Sequence, residues 1–380
     1  MFHIALDTPS ITRVLDELLA TKSCPTLLAL LPEAEKPQLP LLQAACRERR
    51  ISLVGAIFPA LVVAQKFITH GAWLLCFTQR VPAFLIPSVN AGEVSAIKRI
   101  VADVNTGLGE LASDAPKPTL FLMFDSMVPN IGSILDGIYL ELANRVEYAG
   151  ANAGSETFQA MPCLFDESQL LGDGVLGLLL PGTQSTVLEH GFTKPERAMT
   201  ATSTEHNRIT MIDWRPAFDV YREMMQADYG INLTAENFYQ HAVHFPFGIL
   251  RANGDVVVRI PVGLADDGSL FCVGEVPENS ILLLLKAPAA DANQCIDQLA
   301  GRLVAENGAL NESGLLLFYC AGRRMHLGAD ATDEVARLHA ATGVRRVAGA
   351  LSLGEIGSTS RWGYPVFHNA TLICRPWLGQ

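Results

Sequence analysis

Residues 349–377 read GALSLGEIGSTSRWGYPVFHNATLICRPW, which sets four glycines, the lone acid Glu355 and the pair His368-Asn369 among apolar, strand-like runs. Whether this is a catalytic loop, a ligand cradle or a well-made turn depends on whether the chain repeats it. It does. One region runs TLLALLP, LPLLQAACRERR, ISLVGAIFP, AWLLCFT, and a second runs TLFLMFD, ILDGIYLELANR, VEYAGANAGSETF, GVLGLLLP. The third runs GLLLFYCAGR, DEVARLHAATG, VRRVAGALSLGEIG, VFHNATLICRP. Each is an apolar strand, a helix of 3.6-residue periodicity, a second strand with a glycine exit, and a return strand.

The glycines align at Gly55-Ala56, Gly150-Ala151 and Gly349-Ala350. Downstream, Gly154-Ser155-Glu156 stands within one residue of the offset of Gly354-Glu355-Ile356, whereas the first copy has Phe58-Pro59. Any one such glycine is explained as a tight exit from a buried strand. Recurrence at three equivalent places points to a shared site at the strand ends, where α/β sheets usually bind ligands.

Continuous apolar strands require sheets covered on both faces, hence an α/β fold of mixed sheets under helices. A chain of 380 residues predicts two domains, here 1–188 with two copies of the unit and 189–380 with the third. The polar, Gly- and Pro-broken stretch from about 185 marks the junction. Helices are expected over 91–113, from Pro216 to a cap at Gly230, and over 288–306. FPFGILR, VVVRIPVGL and LFCVGEVP read as strands, with turns at Asn253-Gly254 and 266–268.

The composition is 49% hydrophobic and 18% charged, with net charge −11. It supports a large core, and the lack of cation clusters argues against nucleic-acid binding. The apolar runs are of strand length, short of the ~20 residues of a membrane helix. The N-terminus MFHIALDTPS shows no secretory pattern. Eight cysteines without a CxxC pair suit reduced, buried thiols and a cytoplasmic location, and leave the N-x-S/T triplets at Asn232, Asn311 and Asn369 without consequence.

Four chemistries compete. Cys320, Cys163 or Ser352 could act as nucleophile with His368 and Glu355 as base and orienter, but no signature such as GxSxG places them. His241 and His244 in QHAVHF have a weak metal-ligand spacing and no companion glutamate. A haem iron would need an axial base such as His241, His244, His190 or His368, in a site without covalent links, because no CxxCH is present. A small polar ligand could use the amides of Gly154 and Gly354, the acids Glu156 and Glu355, and Arg323. Arg323 could equally pair with Glu355, and His368-Asn369 could simply tie a strand start to a loop.

CAGRR (320–324), VAGALSLGEIGS (347–358), FHNATL (367–372), EHGF (189–192) and VVVRIPVGLADDGSLFCVGEVPENS resemble FIST domains, bacterial and archaeal sensory modules of signal transduction. The resemblance covers essentially the whole chain. The stretch GAIFPALV (55–62) departs from the family's usual Gly-Cys-Ser/Thr-x-x-Gly-Glu loop. Together with NAGSETFQAMPCLFD (152–166) it looks more like a subgroup containing haem-bearing nitric-oxide sensors. The resemblance thus implies a non-enzymatic sensor, with haem b as cofactor or a metabolite such as an amino acid as ligand. It also implies a sensor histidine kinase or similar signalling protein as partner. A homodimer is compatible with all of this.

Overall fold

Thr26–Pro32, Thr119–Asp125 and Gly314–Cys320 form the first strand of each repeat, each seven residues long and almost wholly buried. Each leads to a helix whose apolar stripe faces the core: Leu39–Glu48, Ile131–Leu142 and Asp330–Thr342. The second strands, Ser52–Phe58, Glu147–Ala153 and Arg346–Ser352, then pair in parallel with the first. This computed structural model describes residues 1–21, 23–287, 294–358 and 364–377.

The parallel registers place Gly55 opposite Ala29, Gly150 opposite Leu122 and Gly349 opposite Leu317. The repeated glycines are therefore inside strands and not in exit loops, which corrects the expectation from sequence. Their cause is steric. A Cβ at these positions would lie 2.2, 2.0 and 1.7 Å from the carbonyl oxygens of Ala29, Leu122 and Leu317. Only glycine permits the first and second strands to approach so closely.

The return strands Ala72–Phe77, Gly174–Leu180 and Leu372–Trp377 pair antiparallel with the first strands of their own units. Between second and return strand, each unit throws out a hairpin that joins a different unit's sheet. Residues 61–68 pair with Arg346–Ser352, residues 164–171 with Ser52–Phe58, and residues 355–368 with Glu147–Ala153. The exchange is cyclic: unit one gives to three, two to one, and three to two. Aromatic rings from all three units meet inside, with Phe58 and Phe121 centred 5.5 and 5.6 Å from Phe318.

Between units two and three lies a separate eight-stranded sheet, over which helix Ala217–Tyr229 packs before Gly230 ends it with φ +69°. Several sequence expectations change here. The polar stretch after 185 contains the strands Ala198–Glu205 and Arg208–Ile212. VVVRIPVGL divides into Val256–Arg259 and Pro261–Leu264, at opposite ends of the sheet path, because Pro261 lacks the amide to continue the ladder. The helix expected over 288–306 is Cys295–Asn307, and its first part falls on 288–293, outside the described residues. No described helix is long and apolar enough to cross a membrane. No disulfide joins any of the eight cysteines among the described residues.

Candidate functional site

The three corners are hydrogen-bonded to one another. Gly154 N donates to Ile57 O at 2.9 Å, Leu353 N to Asn152 O at 3.0 Å, and Leu351 N to Ala60 O at 2.8 Å. Gly154 (φ +134°) and Gly354 (φ +149°) are true corner glycines. A Cβ there would lie 2.6 Å from Ser126 Oγ and 2.3 Å from the Phe367 ring respectively.

At this convergence the strand Gly314–Cys320 passes directly into helix Ala321–Leu327. A cavity of about 30 Å³ opens beside it, walled by Cys320, Gly322, Leu353 and Asn369 from unit three. Glu156 and Phe158 from unit two, and Tyr239, Val243 and Ile260 from the inserted region, complete the wall. Gly322 keeps the space open: a Cβ would come within 2.6 Å of Ile260 Cδ1. Two larger clefts, of about 190 and 220 Å³, carry charged groups in their walls, such as Lys117, Glu147 and Arg302, or Asp103, Glu110 and Glu167. They sit at the amino ends of the parallel strands, whereas ligands of α/β sheets enter at the carboxyl ends and favour apolar walls.

Under the cavity lies a buried polar cluster. Glu355 accepts hydrogen bonds from Ser352 Oγ at 2.5 Å and Thr371 Oγ1 at 2.6 Å. Burial pushes its carboxyl up to about 7, against these hydrogen bonds, which favour the ionised form. Cys320 Sγ accepts from Ala370 N at 3.1 Å, and burial pushes its thiol well up. Among the described residues, the Asn152 side chain, fully buried, and both ring nitrogens of His368 have no hydrogen-bond partner. Burial, followed by neighbouring His190 and Arg259, holds His368 well below its usual range, so the ring is neutral.

The residues singled out in the sequence do not form one ligand shell. Glu355 is sealed beneath the floor, while Glu156 is exposed at the cavity mouth, so the two acids are not equivalent. Arg323 does not face Glu355. It is clamped by both carboxylate oxygens of Glu334, at 2.8 and 2.6 Å, and donates to His190 O at 2.7 Å. The reason is helical spacing: Glu334 lies on the inward face of Asp330–Thr342, which packs against Arg323's helix. Asn369 lines the cavity but spends its amide internally, accepting from Ile260 N and donating to His368 O. His368 itself lies behind it.

His241 and His244 are not a pair. His244 Nδ1 lies 2.5 Å from Nδ1 of His326, with ring centres 4.8 Å apart. Burial, then the proximity of His326, lowers its pKa. His190 Nδ1 accepts from Phe192 N, and burial followed by Arg323 lowers the imidazole to about 4. The space between Val243, Gly322, Arg323 and His326 is about 10 Å³, against the roughly 300 Å³ or more of an ordinary cofactor pocket. These residues do not fit a haem in this conformation, and among the described residues no cluster of three metal-ligating side chains occurs. The nucleophile arrangement is not assembled either. Cys320 takes a hydrogen bond from a backbone amide, and neither nitrogen of His368 reaches a partner among the described residues.

Sequence reasoning missed Gly322, Tyr239 and Met325, which shape the cavity, and Thr371 and Asn152 in the polar cluster. A signal existed for the last two, as polar residues inside apolar strand runs. None existed for Tyr239, which arrives from a distant segment.

The FIST N domain model matches residues 28–215, and the FIST C domain model matches residues 217–358. FIST domains are generally sensor domains of signal transduction. No curated protein matches the chain. The two adjoining matches, together covering well over half of the chain, place it in the FIST domain family.

Proposed function

We propose that this protein senses a small ligand in the cavity between Cys320 and Glu156 and reports occupancy to a separate signalling protein, with a sensor histidine kinase as the partner to test. The supporting observation is the cavity's ancestry. Its walls come from both FIST domains: Glu156 and Phe158 lie in the FIST N match, and Tyr239, Cys320 and Leu353 in the FIST C match. A ligand there bridges segments of both matched regions beside the corner hydrogen bonds, so binding favours one arrangement of the seam over others. The sheet of Glu147–Ala153, which leads to Glu156, also carries Glu355–Gly357, so a change at the mouth reaches the buried floor.

A thermal-shift screen with a metabolite panel tests this. A ligand at 100 times its Kd should stabilise the protein by about 2.7 kcal/mol. Gly322→Ala, which fills the cavity, should abolish that gain and any ligand-dependent change in kinase autophosphorylation. A stabiliser acting equally on Gly322→Ala would place binding elsewhere and overturn the assignment.

A further inference from the structure

We infer that the cavity selects a small apolar amine, not a free amino acid; this rests on the sensing site just described and names its ligand. The inner walls are apolar, from Val243, Ile260, Leu353 and the Cys320 thiol. The mouth is formed by the Glu156 carboxylate, the Tyr239 ring and the Met325 thioether, with Tyr239 Oη 4.0 Å from Met325 Sδ. A carboxylate, an aromatic face and a soft sulfur all attract an ammonium group.

The decisive point is which cations are within reach. None of the described residues lining the cavity is cationic. Arg323, which would have taken a ligand carboxylate, is engaged by both oxygens of Glu334 and by the carbonyls of His190 and Ala370. Arg324 stands over the Phe67 ring, 5.2 Å from its centre. A free amino acid would therefore bring its carboxylate to an apolar wall beside Glu156, losing water and meeting like charge. An amine carrying only a methyl group keeps the attraction, avoids that cost and suits a space of about 30 Å³. Asn369 donates one amide N–H to His368 O and accepts from Ile260 N, and its other N–H finds no acceptor on an ammonium group.

Calorimetric titration of the full chain with methylamine, methanol and glycine tests the assignment. The amine should bind at least about tenfold more tightly than the alcohol or glycine, the worth of one charge-assisted contact. Glu156→Gln should remove that advantage without affecting the alcohol, and Gly322→Ala should eliminate binding of all three. Equal binding of amine and alcohol, unchanged in Glu156→Gln, overturns the amine assignment but leaves the cavity intact. Tightest binding by glycine does the same. Absence of binding by all three, with no stabiliser in the metabolite screen, overturns the sensing site together with its ligand.

Discussion

Single residues hold this architecture at points where a methyl group is too much. Gly349→Ala sets a Cβ 1.7 Å from the Leu317 carbonyl, where backbone cannot yield, and the same holds at Gly55 and Gly150. Each should lower stability by about 3 kcal/mol or more, as overpacking of a core strand does. Gly109→Ala, with nothing within 4 Å of the new atom in helix Glu93–Glu110, should stabilise by up to about 1 kcal/mol. Chemical denaturation of the four variants gives the comparison. The repetition of these glycines was legible in the sequence. Their purpose was not, because a strand–strand clash involves a carbonyl 26 to 32 residues away that no local pattern reveals. Glu355 gives a second test. Its folded carboxyl titrates near 7, above its ordinary 4.5, so the folded state holds a proton that the unfolded state has released between those values. The contribution is fully present below about 4.5 and is lost as pH rises to about 7, roughly 3 kcal/mol at most. Glu355→Gln should remove that slope from a plot of unfolding free energy against pH.

At the scale of elements, periodicity located the three unit helices and their strand partners well, since each carries a full apolar stripe or run. It failed at the hairpins. Residues 61–68 and 164–171 are too short and too irregular to announce strands, and their pairing is with units distant in sequence. The helices Ala321–Leu327 and Asp330–Thr342 are joined by the buried pair Arg323–Glu334, whose side chains are 4% and 6% exposed. Glu334→Gln leaves a buried guanidinium without counter-charge and should cost about 3–5 kcal/mol. Replacing both partners with apolar residues of similar volume should cost much less, so a double-mutant cycle in urea reads the difference.

For the whole molecule, the cyclic hairpin exchange makes the two FIST domains mutually dependent. Residues 1–188 expressed alone lack the 355–368 hairpin that completes the sheet of unit two, and leave 61–68 without the strand it pairs with. That fragment should show no cooperative melting, whereas the full chain should unfold in a single transition by circular dichroism and fluorescence, and co-expression with 189–380 should restore it. Two coincident transitions in the isolated halves would contradict this interdependence. The sequence by itself determined the α/β class, the threefold unit and the family, because all three are written in local apolar periodicity and short motifs. Only the tertiary structure decided which charges meet. Arg323 went to Glu334, Glu355 was sealed under Thr371, and Glu156 alone was left at the cavity mouth. Such pairings depend on which faces of separate elements are packed together, and burial makes the choice binding, since a charge removed from water must have its partner within hydrogen-bond reach.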